Sequence, residues 1–204
     1  MTSLRFALLA ACAVLLCSLP ASAADGPATK AVRKANNTIS KLLAVKAPPG
    51  SPKEAKVAKQ VTTSVRGFLD VDELGRRALV DHWDKLDDKQ KKEFLELLRA
   101  LVEANYIKGL RSRVDYKVVY NGETSKGESV LVSTEVKARR KGRPVTIAVE
   151  YSVRKEGTSF RVYDIITDGV GLVENYRAQF NRIIDKEKFD GLLERMRKQR
   201  KALE

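Results

Sequence analysis

Cysteine is nearly missing from this chain: the two that occur, Cys12 and Cys17, both fall in its first seventeen residues. If that segment is a removed leader, the folded part has no thiol nucleophile, no thiolate ligand and no disulfide staple. Histidine occurs once, as His82 between Asp81 and Trp83, with no second His or Cys to complete a metal set. Neither a G-x-S-x-G elbow nor a glycine-rich phosphate loop is present. Aromatic residues are 6% of the chain and do not interleave with its lysines and arginines, so no base-stacking platform for nucleic acid is expected. What remains is a protein that acts through apolar packing and surface charge.

The beginning of the chain reads as an export signal. Arg5 supplies a positive start, Phe6 to Leu19 an apolar run, and Ala21-Ser22-Ala23 a small-x-small cleavage site. The run is too short to span a bilayer. A rival reading takes Leu9-Ala10-Ala11-Cys12 as a lipoprotein signal, but only about six apolar residues would precede it. Residues 1–23 are therefore expected to be a signal peptide and 24–204 a single exported domain, long enough to bury a core without disulfides. The formal charge of +13 loses only Arg5 with the leader. The basic residues are spread along the chain, and charge alone fits helix solvation, an acidic partner or an anionic lipid surface.

The first half has helical periodicity. Thr29 to Lys46 carries a weak apolar stripe and ends at Pro48, Pro49, Gly50 and Pro52. Lys53 to about Gly67 places Val57, Val61 and Val65 four residues apart. Asp70-Val71-Asp72-Glu73 has the form of a capping box opening a short helix. A second box, Asp87 to Gln90, opens the longest helix, with Phe94, Leu97, Leu98, Leu101, Val102 and Tyr106 on one face.

The second half alternates. Strands are expected through Val114–Tyr120, Val130–Ala138, Val145–Val153 and Phe160–Thr167, with turns at Asn121-Gly122, Lys141-Gly142 and Glu156-Gly157. The class is α+β: a four-stranded antiparallel meander with one apolar face that helices must cover. In its last strand Val162 and Asp164 are expected on one face, with Arg161, Tyr163 and Ile165 on the other. Asp168 reads as the N-cap of a final helix carrying Val173, Tyr176, Phe180 and Ile184 on one side, and Asp164 as a further cap of the same turn.

Four segments together resemble the MlaC family, also called toluene-tolerance or Ttg2-type periplasmic phospholipid carriers. They are FLDVDELGRRALVDHW (Phe68–Trp83), KQKKEFLELLRALVEANY (Lys89–Tyr106), IAVEYSVRKEG (Ile147–Gly157) and FRVYDIITDGVGLVENYRAQFNRII (Phe160–Ile184). Phe160 stands where the family commonly has Trp, and Gly171 where it commonly has Ser. The resemblance implies a curved, NTF2-like (nuclear-transport-factor-like) sheet backed by helices, with an apolar lipid cavity between. It implies a periplasmic carrier with phospholipid as cargo and no cofactor, the binding component of an ABC transport system serving outer-membrane lipid asymmetry. The implied partners are an outer-membrane lipoprotein complex and an inner-membrane ABC transporter with substrate-capturing domains. A hopanoid cargo within the same family, or a basic non-enzymatic adaptor, are the alternatives.

Such a carrier needs an apolar lining and a polar mouth, and no catalytic group. The expected sheet contacts are Val132, Val149, Tyr151, Tyr163 and Ile165. The expected helix contacts are Leu98, Tyr106, Leu172, Val173, Tyr176 and Phe180. The same residues would equally suit a closed core, which periodicity cannot separate from a lined cavity. Arg177, next to Tyr176, either reaches a phosphate or pairs with Asp164, Asp168 or Glu174. Trp83 reads as a core anchor or a stacking surface. Acid–base catalysis would need a pair such as Asp164 and Tyr163, but adjacent strand residues face opposite sides and are not expected to converge.

Overall fold

The computed structural model describes residues 25–48, 50–111, 116–140 and 142–203, with 105–111 and 140 described as backbone only. Among the described residues four α-helices precede the sheet: α1 (Pro27–Leu43), α2 (Pro52–Phe68), α3 (Val71–Ala78) and α4 (Asp88–Arg111). Strands β1 (Tyr116–Lys126), β2 (Ser129–Arg140), β3 (Arg143–Glu156) and β4 (Ser159–Thr167) follow. Two residues form β5 (Val170–Gly171), and α5 (Leu172–Lys201) ends the chain. The class is α+β as expected, but the antiparallel sheet has five strands in the order β1-β2-β3-β4-β5. The fifth was hidden because a two-residue strand has no period to read; Val170 and Gly171 pair with Thr167 and Ile166. The expected signal peptide lies outside the described residues, and so do Val114 and Asp115 of the first expected strand.

The second expected capping box forms in full and the first only by half, since the Glu73 carboxylate turns to Arg76 and Arg77 and the Asp70 N–H bonds the Val162 carbonyl. Asp70 Oδ1 accepts the Glu73 N–H at 3.2 Å. Asp87 and Gln90 exchange reciprocal bonds at 2.8 and 3.2 Å. Helices α1 and α2 each carry proline at the start, where no amide donor is needed. The α1 terminus is capped from a distance: Glu123 of β1 accepts the Thr29 N–H at 2.6 Å.

That carboxylate is positioned by a β-bulge. The expected turn at Asn121-Gly122 does not occur; β1 runs through it, and the chain reverses at Gly127 instead. The pairing steps from Tyr120↔Thr134 to Gly122↔Ser133, leaving Asn121 as the extra residue. Gly122 takes a φ of 106°, which a side chain would resist. An Asn-Gly pair supplies positive φ equally well to a bulge and to a hairpin turn, and sequence alone does not say which. Gly142 and Gly157 take the positive φ expected of their turns, while Lys141 lies outside the described residues.

A second bulge reorganises β4. The register passes from Ser152↔Asp164 to Val153↔Val162, with Tyr163 as the extra residue. Cross-strand partners share a face, so Val130–Val153–Val162 and Val132–Tyr151–Ile165 form adjacent rows on one side of the sheet. The expectation that Val162 and Ile165 face opposite ways is thus corrected: one inserted residue shifts the parity.

The free edge of β4 is covered by Leu69, which bridges Val162, and by β5. Arg161 donates to the carbonyls of Leu69 and Arg66 at 2.7 and 3.1 Å, closing the end of α2. Helix α5 bends at Lys188, whose φ is 61° and ψ −179°, and its two arms enclose Phe94 of α4. Phe94 meets Phe180 of the first arm at 5.5 Å and Phe189 of the second at 6.2 Å. Among the described residues no helix is long and apolar enough to cross a membrane.

Candidate functional site

The inner face of the sheet is mostly apolar, with Thr134 and Glu123 as its polar members, and is unevenly covered. Val132, Val153 and Val162 are fully buried, and Tyr151 nearly so. Farther along, Val118, Val136, Ile147, Val149 and Ile165 are only half-buried. Helix α1 lies over the covered part: Asn36 donates to the hydroxyls of Tyr120 and Tyr151 at 3.1 and 3.3 Å. Phe68 of α2 meets the Tyr151 ring edge-on at 6.1 Å. Burial raises the pKa of both Tyr151 and Tyr120, so they stay neutral donors and acceptors. The polar tips of two tyrosines thus sit in a mostly hydrocarbon wall, each with a partner.

A second apolar space lies between α4 and the two arms of α5. This cleft of about 230 Å³ is floored by Leu98, Leu101, Leu172, Phe180, Ile183, Leu192 and Met196. Asn175, Gln179, Arg195 and Gln199 line it with polar groups. Tyr176 stacks on Phe180 at 5.4 Å, and burial raises its pKa. An apolar floor with a few polar groups is the usual make-up of a small-molecule site.

The structure sorts the twelve expected contact residues into separate places. Val132, Val149, Tyr151 and Ile165 come together on the inner sheet face. Leu98, Leu172, Tyr176 and Phe180 come together in the α4–α5 cleft. Tyr163, the extra residue of the β4 bulge, turns to the outer face: its hydroxyl donates to Ser129 Oγ at 3.0 Å, and the Arg77 guanidinium lies 4.2 Å from its ring centre. Val173 and Arg177 line a third, open cleft of about 340 Å³ with Asp164 and Glu174. The side chain of Tyr106 lies outside the described residues.

Arg177 makes none of its three expected ion pairs. Its Nη2 donates to the Arg77 carbonyl at 2.8 Å, tying α5 to the end of α3. Asp168 is not the helix cap either; at φ 47° it sits in the turn and its carboxylate accepts the Ala148 N–H. The N-cap position is held by Gly171, and Asp164 of β4 supplies the acceptor in its place, its Oδ1 taking the Val173 N–H at 3.1 Å. Burial raises the Asp164 pKa, against bonds from the Val173, Leu172 and Ile165 amides and the charge of Arg77. Tyr163 and Asp164 therefore both face Arg77, contrary to strict alternation. Trp83 is half-buried against the core with Lys91 at 5.6 Å from its ring centre, and His82 Nε2 bonds Asn181 Oδ1 at 3.0 Å. Among the described residues no group of His, Cys, Asp and Glu could hold a metal ion.

Sequence reasoning missed the polar part of the cleft and the Asn36–tyrosine contacts. Asn175 and Gln179, and Arg195 and Gln199, are each four residues apart, a spacing that signals a shared helix face. Nothing in the sequence announces that the two faces meet, because the bend at Lys188 has neither glycine nor proline.

Known proteins agree with this architecture. A solved phospholipid-binding protein from Ralstonia solanacearum, in complex with a phospholipid, superposes with a TM-score of 0.70 at 23% identity. The match covers 88% of this chain and 99% of that one. The intermembrane phospholipid transport system binding protein MlaC of Haemophilus influenzae is 21% identical over 131 residues, 63% of this chain. The chain spans 61% of that relative's length. The family described as MlaC protein matches residues 33–198. With most of its length accounted for in this way, the chain belongs to the MlaC family.

Proposed function

We propose that the protein is a periplasmic carrier of phospholipid. It would be exported by its signal peptide and move lipid between the outer and inner membranes as the binding component of an ABC transport system. The observation that carries this reading is the half-buried apolar face of the sheet at Val136, Ile147, Val149 and Ile165. A closed core would cover these side chains. Family membership and the phospholipid held by the Ralstonia protein support the same reading.

The physical task is desolvation. Each methylene exposed to water costs roughly 0.8 kcal/mol, so a chain of about sixteen carbons is held in a bilayer by roughly 12 kcal/mol. A carrier lowers the barrier to leaving the membrane by offering the tail a matching apolar surface. Val132, Val149, Tyr151 and Ile165 would form one wall, and the α4–α5 cleft would receive further hydrocarbon. No bond is made or broken, and the protein is not an enzyme on this account.

The test is transfer of labelled phospholipid between donor and acceptor vesicles. Val149→Asp is expected to abolish transfer while circular dichroism stays unchanged, because Val149 is half-buried and a charge there can reach water when the site is empty. Unchanged transfer by a folded Val149→Asp protein would remove the inner sheet face from the site.

A further inference from the structure

The net charge is not evenly placed. Residues 27–68, the α1–α2 hairpin, contain nine lysines and arginines and a single acid, Glu54, and so hold +8 of the formal +13. Arg33 and Arg66 are engaged by Asp25 and Glu103. Lys30, Lys34, Lys41, Lys46, Lys53, Lys56 and Lys59 are all exposed, and none forms an ion pair among the described residues.

Five of these lysines border one face. On α1, Lys30, Lys34 and Lys41 stand at i, i+4 and i+11, a single stripe. Lys30 and Lys34 line an open groove of about 590 Å³ whose opposite wall includes Ser64 and Gly67 of α2. Counting back from those residues by helix turns reaches Gln60, Lys56 and Lys53. Lysines therefore flank both sides of the α1–α2 seam along two helices of about 25 Å each. Among the described residues, Glu54 is the only acid these two helices contain.

We infer that this face docks the protein on an anionic bilayer surface, with lipid phosphates as the partner. Lysine is a hydrated point charge on a flexible stem, suited to a diffuse, mobile field of charge rather than to fixed bidentate recognition. Protein interfaces are depleted in lysine and anchored by aromatic residues and arginine. No arginine stands among these lysine positions, and the two aromatic residues of the groove, Phe68 and Phe160, are buried and half-buried. Polybasic segments of this kind gain binding from each lysine near an anionic surface and lose it with added salt. Docking goes beyond the carrier reading and draws its purpose from it, since a lipid carrier must reach a membrane.

The experiment is co-flotation of the purified protein with vesicles of phosphatidylglycerol and phosphatidylethanolamine, against vesicles of phosphatidylcholine alone. Bound lipid is measured separately by extraction. Binding to the anionic vesicles only is expected, falling roughly five-fold for each of Lys30→Gln, Lys34→Gln, Lys53→Gln and Lys56→Gln and disappearing at high salt. A control variant, Lys198→Gln with Lys201→Gln on α5, is expected to bind as the parent does. Equal binding to both vesicle types, or no loss in the α1–α2 variants, overturns the docking surface. Absence of vesicle binding in a protein that still co-purifies with lipid overturns docking and leaves carriage standing, while docking without any bound lipid does the reverse.

Discussion

The Asp164 carboxylate accepts the Val173 N–H at 3.1 Å, joining β4 to the start of α5. That bond fixes where α5 begins and so where Leu172 and Tyr176 enter the α4–α5 cleft. It also places a carboxyl where burial works against its charge. A Cβ on Gly171 would stand 2.7 Å from Asp164 Oδ2, so a side chain there would make the carboxylate shift.

The first prediction follows from that burial. Asp164 has a raised pKa in the folded protein, so the stability linked to its proton is fully present below the ordinary carboxylate range. It is lost as pH rises through the folded value. Asp164→Asn keeps an oxygen acceptor for Val173 and removes the charge, and it should flatten this limb of the stability–pH curve. Asp164→Ala should cost about 1 kcal/mol by removing the cap. Urea melts at a series of pH values distinguish the two; a parent and Asn variant with parallel curves would contradict the assignment.

Glu123 and Gly26 form a matched pair. A Cβ on Gly26 would stand 2.1 Å from the Glu123 carboxyl, so Gly26→Ala must displace the group that caps α1. Glu123→Ala should destabilise by about 1 kcal/mol. The double variant should cost less than the two single changes together, because the alanine at 26 then meets no carboxylate. Thermal melts of the four proteins measure the coupling, and strict additivity would count against it.

Arg177 lines a cleft shared with Asp164 and Glu174 and bonds the Arg77 carbonyl. Two carboxylates make that cleft a poor place for a phosphate. Arg177→Ala is expected to lower stability by about 1.5 kcal/mol with bound lipid unchanged. Loss of lipid from a fully folded variant would return the residue to the headgroup role that its sequence position suggests.

Much of the fold was legible because it rests on local chemistry. The Asp87 capping box, the Asp70 side-chain cap and the glycine turns at 142 and 157 are short-range signals that form, while the return bond from Glu73 to Asp70 does not. The bulges were not legible. Asn121-Gly122 satisfies a hairpin turn as well as a bulge, and the extra residue at Tyr163 depends on pairing with β3 that no local pattern records. This one insertion moved Tyr163 to the outer face and brought it with Asp164 to Arg77. The α4–α5 cleft was half legible: Leu98, Leu172, Tyr176 and Phe180 were readable as apolar stripes. The bend at Lys188, which brings Arg195 and Gln199 to the same cleft, was not.

The central claim is that the apolar interior holds lipid. Native mass spectrometry of the purified protein, with extraction and identification of whatever it releases, tests it most directly. The account predicts a mass excess that resolves into phospholipid and is reduced by Val149→Asp. A hopanoid in its place would contradict the phospholipid assignment, and an apo mass that persists after incubation with vesicles would contradict the carrier itself.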